Sequence, residues 1–504
     1  MANFEWFESK VSELRSDNER AQVLSELKLA VSSQNVSQQK YIAQNLQLDA
    51  VFDCLNSSES EEIDSACHVL SLLLGSLDPS VVLRQYLDHL QRALGHPTAS
   101  VKEMSIAELR RVACSGDLVH QLCQNDLILN IVTCLSNDDI AVAKNACTLL
   151  VKLGESSTGL KVLFSREILE ALRKIQKQSD IIRFRVFEMA VLIAEHSPEG
   201  QQACVSSGLL PALVEELQTE DVLLQLNALE LLTKLALKPH GLEWLQHRGI
   251  LRQLAEKVNS IEEEPLGSLL LPGLIKFFGN LAQSNPKEFF NEYPRMVAAL
   301  FETFDTSDMV LLGVAMETIG YIATSVEGKY MLYNLGDLMK KAIKKISNGI
   351  QSFPHLSRVR ALNTMANIIE LKLDAQETQS LQITKEFFNW LSEEPMTLVM
   401  SVCQQPFPEL RLAGVQVLKV LAEQEWGQEL IKKQPGVVEF LLDRRMETHK
   451  YCKDAKYEVV KVIVESPTGL SVFGSETFTR LREFFKEGPF FVQTQTEVAI
   501  EGAS

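Results

Sequence analysis

No uninterrupted apolar run approaches the ~18 residues a membrane-crossing helix needs, so no membrane span is expected. The first residues, Met1-Ala2-Asn3-Phe4-Glu5-Trp6, show no basic segment followed by an apolar core, and no secretory signal is expected there. Basic charge is in deficit as well. A formal net charge of −17 argues against a general nucleic-acid binder and favours a partner with basic patches. The nine cysteines (Cys54, Cys67, Cys114, Cys123, Cys134, Cys147, Cys204, Cys403 and Cys452) are odd in number, and none forms a C-x-x-C pair. That spacing indicates neither a zinc knuckle nor a redox motif. Most of them sit in apolar helical patterns as small buried hydrophobes, which fits a reducing compartment.

Catalytic signatures are missing too. There is no G-x-x-x-x-G-K-[ST] phosphate loop, no G-x-G-x-x-G after a strand, no H-E-x-x-H and no G-x-S-x-G elbow. The nine histidines lie far apart; His68 and His196 read as core or helix-end residues and His240 as a turn residue. Carboxylate pairs such as Glu215-Glu216 and Asp138-Asp139 fall at helix ends, where they complement the helix dipole. No catalytic residue, cofactor or metal is therefore expected, and the chain reads as a non-enzyme. The one basic cluster, Lys340-Lys341-Ala342-Ile343-Lys344-Lys345, places four lysines on one helix face. A solvated face with Ile343 inward is the plain account; an acidic-partner site or import-type signal is the other.

Aromatic residues make up only 7% of the chain against 46% hydrophobic, with leucine and alanine dominating the periodic segments, as packed helices prefer. The most regular unit runs from Pro198 to Gly241. A short helix (Gln201–Ser206) leads to the break Ser207-Gly208, and a second helix follows with Pro211 in its first turn, where a missing N–H does no harm. Thr219-Glu220-Asp221 then caps a third helix, Val222–Leu237. That helix carries two apolar stripes, Val222/Leu226/Leu229/Leu232 and Leu224/Ala228/Leu231/Leu235. A helix apolar on two sides must be covered on two sides, so the unit needs copies of itself as neighbours.

The copies are present. Glycines after Pro-, Ser- or Thr-containing breaks recur at Gly75, Gly116, Gly159, Gly200 and Gly241, in steps of 41, 43, 41 and 41 residues. Acidic caps at Asp139, Asp180 and Asp221 keep a step of 41. Long helices are expected at Val101–Cys114, Ile140–Leu153, Ile181–Ala194 and Leu269–Ala282, and the marker returns at Gly328, Gly427 and Gly469. Insertions are expected at Ser347–Leu356 and Lys372–Gln382, a solvated loop at Ser57–Asp64, an acidic loop at Ile261–Ser268, and a last helix at Thr477–Lys486 ended by Gly488. This period predicts an all-α, armadillo/HEAT-type right-handed superhelical solenoid of about ten repeats. Residues 1–32 form its capping helices, 33–486 the array, and 487–504 a mobile tail.

By elimination the function is binding, along a groove lined by the third helices. Residues off the apolar stripes are the candidate contacts: Asn145, Lys152, Arg183, Arg185, Glu188, Asn227, Glu230 and Lys234. Salt links within the ladder account for them equally well. A transport adaptor or a ligase or phosphatase scaffold would share this design. The tryptophans Trp6, Trp244, Trp390 and Trp426 keep no repeat register, which disfavours the transport type.

Several stretches carry a more specific likeness. They are Leu271-Pro-Gly-Leu-Ile-Lys-Phe-Phe-Gly-Asn-Leu-Ala282, Gln405-Pro-Phe-Pro-Glu-Leu410, Asp454-Ala-Lys-Tyr-Glu458 and Glu487-Gly-Pro489, with Arg183-Phe-Arg-Val-Phe-Glu188 and Val326-Glu-Gly-Lys329. Together they resemble the 26S proteasome non-ATPase regulatory subunit 5 family over nearly the whole chain. The resemblance implies an assembly chaperone of the proteasome regulatory-particle base, cytosolic with the nucleus as a second location. It would bind the C-terminal domain of one ATPase, 26S protease regulatory subunit 7, in a subassembly with other regulatory-particle subunits. Bound there, it would block premature docking on the core particle and would be absent from the mature proteasome.

Overall fold

The computed structural model describes residues 4–16, 20–261 and 267–491, and every regular element among them is helical. The chain divides into two compact units, Met1–Arg248 and Gly249–Ser504, each an α-solenoid. In the first unit five long helices stack in order: Ser60–Ser76 (α1), Ala99–Ala113 (α2), Ile140–Gly154 (α3), Asp180–His196 (α4) and Val222–Ala236 (α5). In the second the same ladder is built by Gly267–Ser284 (α6), Met309–Ile322 (α7), His355–Ile369 (α8), Pro408–Ala422 (α9) and Lys450–Glu465 (α10). A second layer is formed by Pro286–Glu292, Val326–Asn334, Thr378–Asn389, Glu425–Lys433 and Gly469–Glu487, each packed on the next. At the start of the chain, helix Arg20–Ser32 lies on α1 and covers its open side.

The ladder helices form because their apolar residues fit two neighbours at once. In α5, Leu229, Leu231, Leu232 and Leu235 are all buried, each worth on the order of 1.5–3 kcal/mol in area removed from water. Val222 and Leu226 are only half-buried, because Gln225 takes the inward position in that turn and its amide reaches the Thr219 carbonyl. Side-chain caps fix the starts of α3, α4, α5 and α7. Asp139 accepts from the Ala141 and Val142 N–H groups (2.8 and 3.1 Å), and Asp221 and Asp308 do the same for α5 and α7. Asp180 breaks the expected register. The cap of α4 is Ser179, whose hydroxyl accepts from Ile182 N–H, and Asp180 sits inside the first turn, 2.7 Å from Arg183.

The repeated glycine has a packing cause. Gly159, Gly241, Gly328, Gly427 and Gly469 each lie in the first turn of the next helix, pressed against a carbonyl in the last turn of the preceding ladder helix. A Cβ at any of these positions would overlap that oxygen, so the bend between the two helices is closed only by glycine. Ser156, Ser197 and Ser325 cap these turns by accepting from the N–H of Gly159, Gly200 and Gly328. Gly75 and Gly116 kept the spacing without the role: Gly75 lies within α1, and nothing comes within 4 Å of a Cβ on Gly116.

Three other expectations are corrected. Most of Ser57–Asp64 is the first turn of α1 rather than a loop: Glu61 and Glu62 complement its N-terminus, and Ser57 Oγ donates to Glu62 at 2.6 Å. Ser347–Leu356 is not an insertion between helices, because helix Asp337–Ser352 runs through it with Ile346 and Ile350 continuing the buried stripe. The last helix begins at Gly469, interrupted at Gly474 (φ 75°), and Gly488 ends it as expected. Residues 492–504 of the expected tail and 262–266 of the expected acidic loop lie outside the described residues.

Candidate interaction surface

A ladder helix with two buried sides leaves one strip to solvent, and the expected groove residues divide on it. Asn227 and Glu230 are exposed on α5, and Asn145 is half-buried on α3. Lys152 pairs with Glu155 in its own last turn. Glu188 on α4 and Lys234 on α5 meet at 3.5 Å, about half-exposed, linking neighbouring repeats at the surface. The two arginines do something else. Arg183 lies 2.7 Å from the buried Glu216 carboxylate as well as from Asp180. Arg185 donates to the carbonyls of Leu135 and Asn137 at 2.9 and 2.8 Å, satisfying the end of helix Asn125–Cys134 one repeat earlier. Both hold the ladder together.

The opposite rim, where the ladder helices end, is sealed by residues that pattern reading passed over. Lys329 is 2% exposed, and its ammonium donates to the carbonyls of Ala323, Asn367 and Ile368, joining the ends of α7 and α8. Burial lowers its pKa to about 7, against the opposing pull of the Glu370 carboxylate. Gln428 fills the equivalent place with bonds to Ala422 O (2.8 Å) and Ser466 Oγ (2.9 Å), and Gln201 donates to His240 O (3.1 Å). His240 is in turn bonded to Ala194 O at 2.8 Å, so it ties repeats together within a helix instead of marking a turn. The signal was in the sequence: Gly200-Gln201, Gly328-Lys329 and Gly427-Gln428 share a glycine followed by a long donor.

Two clefts open on the second unit. One of about 180 Å³ lies between α6 and α7 on the ladder strip, beside Gly279, where a Cβ would strike the Thr318 methyl. The other, about 370 Å³, sits at the ends of α8, α9 and α10 and is lined by Glu370, Glu423 and Glu465 with Leu371, Leu373 and Val462. Burial, with the neighbouring Glu370 charge, raises the Glu423 pKa. The four-lysine face of helix Asp337–Ser352 is as expected, with Lys340, Lys341 and Lys344 exposed and Ile343 buried. Among the described residues no three His, Cys, Asp or Glu side chains come together to hold a metal ion. No single described helix is long and apolar enough to cross a membrane.

Two stacked-helix arrays of this kind make the molecule an α-solenoid of the armadillo/HEAT class. The chain matches the family model described as proteasome non-ATPase 26S subunit over residues 3–504. It is 34% identical over 496 residues to the human 26S proteasome non-ATPase regulatory subunit 5, covering 98% of each chain. To the Drosophila melanogaster protein of the same name it is 28% identical over 510 residues, again with 98% of each covered. The chain belongs to this family, and its role is proteasome-related. Among solved structures it is similar to yeast importin-β at 14% identity and a TM-score of 0.45, covering 95% of this chain and 67% of that one. A likeness that distant adds nothing to the fold read from the helices themselves.

Proposed function

We propose that this protein is an assembly chaperone of the proteasome regulatory-particle base. In this reading it holds the C-terminal domain of the ATPase 26S protease regulatory subunit 7 in the cytosol, while the base is put together. It leaves before the mature particle is complete. The observation that carries the reading is the match to the regulatory subunit 5 family along essentially the whole chain. Stacked repeats suit the task, because each needs only its neighbours and neighbouring repeats present an extended surface. Holding the domain and blocking its docking on the core particle are then one steric act, with no cofactor and no bond making.

The test is a pull-down with the purified full chain against the isolated C-terminal domain of regulatory subunit 7, with those of the other base ATPases as controls. Selective, stoichiometric capture of the subunit 7 domain is the expected result. Capture of none of them sinks the proposal and leaves an adaptor or scaffold for a different complex.

A further inference from the structure

A row of exposed aliphatic residues runs along the starts of consecutive ladder helices in the first unit. Ile140 is 74% exposed at the first position of α3, Ile181 69% at the second of α4, and Leu223 70% at the second of α5. These positions recur at the repeat period, and none is needed for the helix itself, since the caps are Asp139, Ser179 and Asp221. On α2 the equivalent residue is Ser100, bonded to Asp64 at 2.9 Å, so the row begins at α3. Exposed aliphatics at the same place on three consecutive repeats make a row of apolar anchors on the surface.

The surroundings set the chemistry of what covers it. Asp138-Asp139 stands beside Ile140 and Glu220-Asp221 just before Leu223; Asp138, Glu220 and Asp221 are exposed. Each cap uses one carboxylate oxygen for the helix N–H groups. At α3 and α5 these pairs outweigh the roughly half positive charge of the helix N-terminus; at α4 Asp180 is paired with Arg183 at 2.7 Å, so the acidic border lies at the two ends of the row. Packed helices lie about 8–10 Å apart, which sets the distance between anchors. An extended strand reaches ~10 Å in three residues but turns its side chain to the other face. An α-helix brings back the same face after seven residues, ~10.5 Å along its axis.

We propose that the strip Ile140–Ile181–Leu223 is a docking surface for a basic amphipathic α-helix of a partner protein, laid across the starts of α3, α4 and α5 with one aliphatic residue per heptad on each anchor. The proposal does not rest on the ATPase reading, and either can fail without the other.

The experiment measures fluorescence anisotropy of labelled synthetic peptides on the full chain. The probe is a helical lysine/alanine peptide with leucine at every seventh position. Its controls are an isomer with the leucines scattered around the helix and one interrupted by proline. The expected result is binding at least about tenfold tighter for the heptad peptide. That preference should vanish in I140Q/I181Q/L223Q, whose circular dichroism matches the parent because all three side chains are exposed. Asp138→Asn with Glu220→Gln should weaken all three peptides alike. Equal binding of the peptides means adhesion by charge alone and overturns the proposal, as does no binding, or a preference that survives in the triple variant. Self-association of the chain that disappears in the triple variant would make a second copy the occupant, and likewise overturns it.

Discussion

Lys329 and Ile368 are joined across a repeat boundary: the ammonium donates to the carbonyl oxygen at 3.0 Å in a place sealed from water. With Asn367 and Ala323 it satisfies three acceptors at the ends of two ladder helices. Lys329→Met should therefore lower stability by about 2–4 kcal/mol, because buried carbonyls lose their donor. Lys329→Gln should recover much of the loss, since Gln201 and Gln428 do this work in their own repeats. Urea-unfolding midpoints of the two variants check it; equal losses for both would refute the equivalence.

The same lysine gives a pH dependence with a definite sign. Its pKa falls from 10.5 to about 7 on burial. Between those values the unfolded chain holds a proton that the folded chain has given up, so stability rises with pH through the window, by at most about 1.4 kcal/mol per unit. Below about 7 both states are protonated and the contribution is flat. The buried thiols act oppositely. Burial raises Cys147 from 9.0 to about 12, so stability falls as pH climbs above 9.0 in the unfolded chain. The clean comparison is between pH 7 and 8.5, roughly, where the slope for the parent should exceed that for Lys329→Met.

Gly328→Ala and Gly159→Ala should each cost about 1–3 kcal/mol, because a methyl group would be forced onto a backbone oxygen that cannot yield. Gly116→Ala meets nothing within 4 Å and should change stability by less than about 1 kcal/mol in either direction. Melting temperatures of the three variants separate the packed glycines from the incidental one.

Arg183→Met should destabilise by roughly 2–4 kcal/mol, since it leaves the Glu216 carboxylate buried without its partner. Lys234→Ala removes only a half-exposed ion pair with Glu188 and should cost under about 1 kcal/mol. Thermal denaturation orders the two. If they prove equal, Glu216 is not held by Arg183 in the way its burial requires.

Asn227→Ala and Glu230→Ala touch exposed positions of α5 and should leave the melting temperature within about 1 °C of the parent. If the ladder strip is the ATPase contact, these two weaken capture of the regulatory subunit 7 domain. Unchanged capture moves the contact elsewhere on the chain.

Much of the ladder was legible because periodic apolar residues and side-chain caps are local signals. The starts of α3 and α5 fell at Ile140 and Val222 as expected, and their ends within about a residue. The start of α4 was harder to read, since Ser179 and Asp180 are both good cap residues and only the backbone decides between them. The glycine spacing was legible and its cause was not, for the carbonyl it meets belongs to another helix. Side-chain direction was least legible. Arg185 and Lys329 both stand in segments quoted for the family likeness, yet charged residues read as surface by default. For Lys329 only the shared glycine-then-donor pattern points to its carbonyls, and nothing local says that Arg185 will find carbonyls one repeat away.

The seals at the ladder rim also give the array a direction in time. The Ile369 carbonyl is satisfied by Gln424, made 55 residues later, and the Ala194 carbonyl by His240, made 46 residues later. During synthesis each newly folded repeat therefore waits, with an open rim, for the ribosome to deliver the next one. A chain released early in either stretch would carry an edge whose Ile369 or Ala194 carbonyl lacks its donor.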